Sequence, residues 1–386
     1  MVTGTRAEYS HVRELARAAA RVGSTEVGLF VTGAHLDERF GSDSAMEVDG
    51  LPVWQRVHCP TPTSPIDLAF SVGTTIAHFG DALAEVQPDW VMVVGDRFEA
   101  FAGAAAAYCS RVSVMHFGGG DTTEGALDEG FRHSISKFSK AHFVTSQIAR
   151  RRVIQLGEHP ASVHIVGNVA VDSLRAAPTM TKAELLDSLG LVGGDRIVMV
   201  AVHPETLGVS GGVDVLQAVE LALSRFPADW AMICTASNAD PGGLDFTQSL
   251  VRFAATRPNT AFVPSLGITR FANVLRLADV IVGNSSAALT EAPSFGLPSV
   301  DIGSRQKGRA RGDSVITVPS DANAIERGIV QQVGRRGEIF ENPYYFGSAT
   351  TRFLEAVAPY LEAKAVANKQ FIDQPVINEY PEGACT

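Results

Sequence analysis

The sequence predicts an α/β protein whose chain folds as two halves in series, each a parallel sheet with helices on both faces. Short β-branched runs alternate with longer Ala- and Leu-rich amphipathic stretches, the spacing of strand, helix, strand. The alternation lapses once, over "SLRAAPTMTKAELLDSLGLVGGD" from Ser173, and then starts again. At 386 residues the chain also exceeds what one hydrophobic core usually serves.

Taken in order, "MVTG" at the start ends a first strand that is unusually short, so either this strand is truncated or the true start lies upstream. An amphipathic helix follows from Glu8 to Val22. The strands of the first half are then "VGLFVTG" from Val27, "WVMVVGD" to Asp96, "VSVMHF", "HFVTS" from His142 and "VHIVGN" to Asn168, with a second amphipathic stretch at Ser71 to Val86. The second half reads "RIVMVAVHPE", "WAMICTASN", "TAFVPSLG", "DVIVGNSS" and "PSVDIG". The expected division is 1–175 and 176–347, joined near residues 172–185. A last amphipathic helix, within 348–364, precedes a tail over 365–386 that is rich in Pro, Asn and Glu and is expected to be loosely held.

The composition, 45% hydrophobic and 19% charged with 36 Gly, is that of an ordinary folded enzyme. A formal net charge of -10 argues against nucleic acid as a partner, while a local basic patch can still hold a small anion. Cys59, Cys109, Cys234 and Cys385 show no CxxC or CxxH spacing, so neither a disulfide framework nor a zinc site is expected. There is no basic-then-apolar leader, and no apolar run approaches the ~20 residues of a spanning helix. The expectation is a cytoplasmic protein without a membrane partner.

Polar residues gather at predicted strand ends, where open α/β sheets bind ligands. After the buried-looking "RVSVMHF", the stretch "HFGGGDTTEGALDEGFRH" from His116 holds four carboxylates, two histidines and five glycines in eighteen residues. Three consecutive glycines let the backbone turn sharply or approach a ligand closely. "TGTRAEY" places Thr5 and Arg6 before a helix, either as a phosphate grip or as a Gly turn with a surface Arg. In "VVGDRFEA", Asp96 is a positioned acid or base, or a helix cap. In "AVHPETLG", His203 is a phosphate ligand or proton carrier, or a satisfied structural histidine.

"DVIVGNSSAALTEAPSFGLPSV" is more specific. Ser285 and Ser286 at a helix N-terminus offer hydroxyls and unpaired N–H groups to an anion, and Glu291 two turns on offers a carboxylate to two ribose hydroxyls. "GSRQKGRARGDS" packs Arg305, Lys307, Arg309 and Arg311 into seven positions, either a solvated basic loop or an anion-gathering one.

These segments, with "VTGAHLDERFG", "RRRVIQLGE" and "NADPGG", follow an order that resembles the hydrolysing UDP-N-acetylglucosamine 2-epimerases, from Thr3 to about Ile316. The resemblance implies a glycosyltransferase-B-like fold: two Rossmann-like domains, a nucleotide sugar in the cleft between them, and the last helix crossing back to the first domain. It implies anti elimination of the nucleoside diphosphate through a 2-acetamidoglucal, then water addition at C1 with inversion at C2, with no metal or redox cofactor. It also implies a homodimer or homotetramer, for which the Ala-rich helix "FEAFAGAAAAYCS" is a candidate packing surface.

By position, Arg6, His203, Ser285 and Ser286 would hold the diphosphate and Glu291 the ribose. Asp96 and Asp128 match the catalytic carboxylates. The matched segments add Asp121, His116, Glu124, Arg132 and His133 to the catalytic edge, and Thr5, His35, Arg97, Asn238, Arg305, Lys307 and Arg309 to the binding set. The chain departs from the pattern at Gly118, where the family usually carries an acidic residue or His, and at Asp121, where it usually carries Glu. The leading expectation is a 2-epimerase acting on a UDP- or GDP-linked 2-acetamido sugar. A diverged member with another elimination or hydrolysis, or a nucleotide-sugar-binding sensor, are the alternatives.

Overall fold

The computed structural model describes residues 1–37, 49–123, 127–204, 213–237, 243–363 and 369–374. In the first half, β1 (Val2–Thr3), β2 (Leu29–Val31) and β3 (Val53–Arg56) form a parallel sheet in the order β1-β2-β3. A second parallel sheet runs β4 (Trp90–Val94), β5 (Ser113–Phe117), β6 (Ala141–Val144) and β7 (Val163–Ile165). Because β1 packs beside β4, the combined order is 3-2-1-4-5-6-7, with its switch point between β1 and β4.

The second half is one parallel sheet of β8 (Ile197–Ala201), β9 (Ala231–Thr235), β10 (Thr260–Val263), β11 (Val280–Gly283), β12 (Ser299–Ile302) and β13 (Val315–Val318). Its order is 10-9-8-11-12-13, so its switch point falls between β8 and β11. Gly283 ends β11 at φ +141, where a Cβ would run into the Ala201 carbonyl of β8. No side chain fits between these strand ends. The strands are nearly continuous runs of Val, Ile, Met and Phe, as expected where both faces are covered.

Near the C-terminus the helix Ala349–Glu362 buries Ala349, Phe353 and Val357 against Val12, Leu15 and Ala16 of the helix Arg6–Ala19 and against Phe143 of β6. Phe353 meets Phe143 edge to face at 5.0 Å, and Tyr360 meets Trp90 in the same way at 6.0 Å. Leu174, Ala177 and Tyr344 belong instead to a core of the second half. The chain therefore passes between the two cores through the helix Val169–Ala176 and again just after Tyr344.

Two expectations need correction. The Ala-rich helix, Phe98–Cys109, is not a free surface: Ala100, Ala102, Ala104, Ala106 and Ala107 are buried between the helix Pro65–Val86 and the sheet, their small size letting the helices approach. Large exposed apolar side chains lie on Pro65–Val86 itself, at Ile66 and Phe70. Nor is the tail loose over residues 369–374. Ile372 N donates to the Gly157 carbonyl at 2.9 Å, and Lys369 reaches three carbonyls and a buried carboxylate.

Phe353→Ala removes a fully buried ring from the first core and should cost about 3–5 kcal/mol. Urea unfolding followed by fluorescence of Trp90, which lies against the same helix, would read this. A loss below about 1 kcal/mol would mean that the last helix adds little to that core.

Candidate active site

The two switch points are brought together by side chains that reach across between the halves, from Arg309 to Thr122 and Thr123 and from Arg152 to Gly308. On the first half, β1 delivers Gly4 and Thr5, β4 delivers Asp96, and β5 delivers the glycine turn. Gly118 and Gly120 have φ of +86 and +81, in the left-handed region that favours glycine. A Cβ on Gly119 would lie 2.9 Å from His116 Nδ1 and 2.8 Å from Ser136 Oγ, and one on Gly120 would run into the Ala149 carbonyl. The turn thus lies flat on what is beneath it, and the acidic side chain or His that the family resemblance leads one to expect at Gly118 would be strained at this φ.

What lies beneath includes His116. It is fully buried, with Nε2 2.8 Å from the Gly95 carbonyl and Nδ1 3.1 Å from Ser136 Oγ. Burial pushes its pKa down to about 3, so the ring is neutral and braces β4 against the turn. This corrects its expected place on the catalytic edge: both nitrogens are used and neither meets the cleft.

Arg132, on the helix Asp128–Phe138, ties the edge together. Its Nη1 donates to the Asp121 carbonyl at 2.8 Å and to Thr123 Oγ1 at 3.1 Å, while Nη2 bonds to Asp96 Oδ2. Burial, with Arg309 and Arg152 nearby, disfavours the charged guanidinium, and the Asp96 carboxylate is paired with it. The Asp121 side chain accepts from Thr145 Oγ1 at 3.4 Å. Burial pushes its pKa up, against the opposing pull of Arg309 and Arg152. Its carboxyl is thus drawn toward holding a proton.

Asp128 begins the same helix, where its charge is favoured by the helix N-terminus. His133 pairs with Glu129 one turn back, at 3.6 Å. On the other side, Glu8 accepts from Gly4 N at 3.1 Å, and its second oxygen is buried without a partner. Burial first, then the charge of Glu99, push the Glu8 carboxyl up to about 8, with Asp128 adding to the effect and Arg97 opposing it. Arg97 Nε donates to Glu99 at 3.2 Å. His35 Nε2 lies 2.9 Å from Thr3 Oγ1, the Thr5 hydroxyl is buried with no partner, and Arg6 is exposed at the helix start.

On the second half, Asn284 fastens the β8–β11 switch point: its Oδ1 accepts from His203 N at 2.7 Å and its Nδ2 donates to the His203 carbonyl at 2.8 Å. The His203 ring faces Ser237 Oγ at 3.3 Å. Ser285 and Ser286 precede a helix of only one turn, Ala287–Thr290, so their hydroxyls and not a long helix dipole are what they offer. Glu291 accepts from Asn168 Nδ2 at 2.9 Å and from the Thr290 hydroxyl, and Asn168 Oδ1 in turn faces His11 Nε2 at 3.0 Å.

The basic loop joins the two edges. Arg305 Nη1 and Gln306 Nε2 both donate to the Asn284 carbonyl, at 3.3 and 2.7 Å. Arg309 reaches the first half, donating to the Thr122 carbonyl and to Thr123 Oγ1, both at 3.3 Å. Arg152 returns the contact, donating to the Gly308 carbonyl at 2.9 Å. Arg311 is turned away to Asp301 and the Gln306 carbonyl. Lys307 is exposed.

Asp96, Asp121, Arg132 and Arg309 are therefore brought together around the glycine turn, Asp128 and Arg97 near Glu8, and His203 beside the Ser285–Ser286 turn. Glu124 and Asn238 lie outside the described residues. Sequence reasoning missed Glu8, Glu99, Asn284 and Arg152. Glu8 had a signal, three positions after Thr5 at a helix start, as in a capping box, although its carboxylate bonds Gly4 N and not the cap residue. Arg152 had none, for it reads as one of three adjacent arginines on a helix.

Comparisons with known proteins bear on the family and the fold. The family model of UDP-N-acetylglucosamine 2-epimerase matches residues 17–358. The polysialic acid biosynthesis protein P7 of Escherichia coli is 33% identical, over 97% of both chains. A hydrolysing UDP-N,N'-diacetylbacillosamine 2-epimerase of Legionella pneumophila is 30% identical, over 91% of this chain and 93% of its own. Among solved structures, the UDP-N-acetylglucosamine 2-epimerase of Neisseria meningitidis, bound to UDP-N-acetylglucosamine, shares the fold with a TM-score of 0.78 at 18% identity, over 93% of this chain and 98% of that one. With a family match over most of its length and relatives of this similarity, the chain belongs to the UDP-N-acetylglucosamine 2-epimerase family.

Proposed function

We propose that this protein hydrolyses a UDP-linked N-acetylglucosamine-type sugar to UDP and a free N-acetylmannosamine-type sugar. The observation that carries the reading is the meeting of Asp96, Asp121 and Arg132 at one switch point with a hydroxyl- and cation-rich edge at the other. His203, Ser285, Ser286 and Arg6 neutralise the diphosphate, and Glu291 receives the ribose. A carboxylate takes the C2 proton while the C1–O bond breaks and UDP leaves with the electron pair, giving the 2-acetamidoglucal. Water then adds its oxygen at C1, and a proton returns to C2 from the opposite face.

Asp121 is the proton-transfer group at C2 in this reading. Its buried position favours the protonated form, and Arg309 and Arg152 favour the return to carboxylate, the balance a group needs to work in both directions. Asp96, fixed by Arg132, and Asp128 remain for the opposite face and for the water. Glu8, held protonated at neutral pH, adds no further negative charge beside Glu99 and Asp128, which limits like-charge repulsion beside a diphosphate.

Asp121→Asn should lower kcat by about 10²–10⁴-fold and leave UDP affinity nearly unchanged, since it removes a proton carrier and not a nucleotide contact. Turnover in heavy water should place deuterium at C2 of the product; a product without it would exclude elimination. Running the assay with UDP-N-acetylglucosamine, its GDP counterpart and UDP-N,N'-diacetylbacillosamine identifies the base and the sugar decoration.

Glu291→Gln keeps an acceptor for Asn168 but loses the charge that receives the ribose hydroxyls. UDP affinity measured by calorimetry should fall by about 1.5–3 kcal/mol, and an unchanged affinity would remove this role.

The raised pKa of Glu8 sets a pH dependence. A carboxyl that ionises near 4.5 when unfolded and near 8 when folded contributes stability fully present below 4.5 and lost as pH rises toward 8. Urea midpoints of the wild type should fall between pH 5 and 8 relative to those of Glu8→Gln. Parallel curves for the two proteins would show that Glu8 ionises normally.

A further inference from the structure

The helix Asp128–Phe138 presents Asp128 and Arg132 to the cleft at one end. Its other end is held by the segment 369–374, far along the chain. The Lys369 ammonium donates to the carbonyls of Ser136, Lys137 and Ser139, at 3.2, 2.6 and 2.7 Å, and pairs with Glu158 at 2.8 Å. Carbonyls of a last turn have no intrahelical partner, and a cation there also opposes the helix dipole.

Glu158 is buried, and it accepts from Lys137 Nζ at 2.6 Å and from His142 Nε2 at 3.1 Å as well. Burial pushes its carboxyl up, but the bonds from His142, Lys137 and Lys369 outweigh this and hold it at about 2. Phe371 covers Gly157, where φ is +85 and a side chain would run into the ring, and lies 4.9 Å from Lys137 Nζ. The segment is thus fastened both to the helix and to the turn before β7.

We infer that Lys369 is a positioning residue for the reaction, its segment fixing the remote end of the helix and so where Asp128 and Arg132 stand. The inference rests on the proposed reading of the cleft. At the cleft end Arg132 ties the helix to Asp96, Thr123 and the Asp121 carbonyl, and Ile135 is buried in the core midway, so the segment 369–374 supplies the hold on the last turn that these contacts do not reach. The helix is about 16 Å long and behaves as a rod, so slack at one end is delivered to the other. An offset of about 1 Å in a catalytic group is enough for a loss on the order of 10²-fold.

The test uses the full chain. Lys369→Met should lower kcat on the nucleotide sugar by about 10–100-fold, with KM and UDP affinity within about twofold, and Lys369→Arg should recover most of the loss. Phe371→Ala, which loosens the segment without stranding Glu158, should move kcat in the same direction and serves if Lys369→Met does not fold. Deuterium uptake by the amides of 128–138 should rise in either variant. That readout needs no turnover, so an inactive wild type would count against the proposed reaction and leave this inference to be decided by exchange. Unchanged kcat with unchanged exchange, or a kcat loss that Lys369→Arg fails to recover, overturns it.

Discussion

The first half of the cleft depends on one buried guanidinium. Arg132 is 3% exposed and bonds to the side chain at the end of β4, to a carbonyl of the glycine turn and to Thr123, joining three segments that the chain itself does not join. An ion pair of this kind adds little net stability, but removing one partner strands a buried charge at a cost of about 3–5 kcal/mol. Its consequence is geometric. Asp96 cannot turn away, and the backbone of Asp121 cannot lift from the helix.

The glycine turn is the other side of the same constraint. For the Asp121 carbonyl to meet Arg132, the chain has to pass close over His116 and the Ala149 carbonyl, and Gly119 and Gly120 leave room for that passage. The same packing neutralises His116 and makes it a support. Thus the histidine that the sequence offers as an acid or base is used by the fold to brace β4 against the glycine turn.

The second half repeats the architecture with different chemistry. Asn284 closes the β8–β11 switch point by bonding both backbone groups of His203, which leaves the imidazole and the neighbouring serines as its polar equipment. Arg309, Arg152 and the bond from Asn168 to Glu291 then span the gap between the halves. Each of these contacts ends on a group at or beside the cleft, so the relative position of the halves and the state of the site are linked.

Features that depend on local order are legible before the chain folds. Strand and helix alternation, the restart after Ser173 and the strand-end positions of Asp96, His203 and Ser285 follow from short-range periodicity and turn residues, which act on neighbours along the chain. The sequence did not reveal which polar groups would be spent inside. His116 and Arg132 look alike as candidates in sequence and Arg152 does not stand out at all, and only packing makes the first a buried brace, the second a three-way tie and the third a link between halves. Burial and partner geometry are sums over residues distant in the chain, so they also decided that Glu8 holds a proton and that Lys369, in a tail without periodicity, caps a helix more than 200 residues earlier.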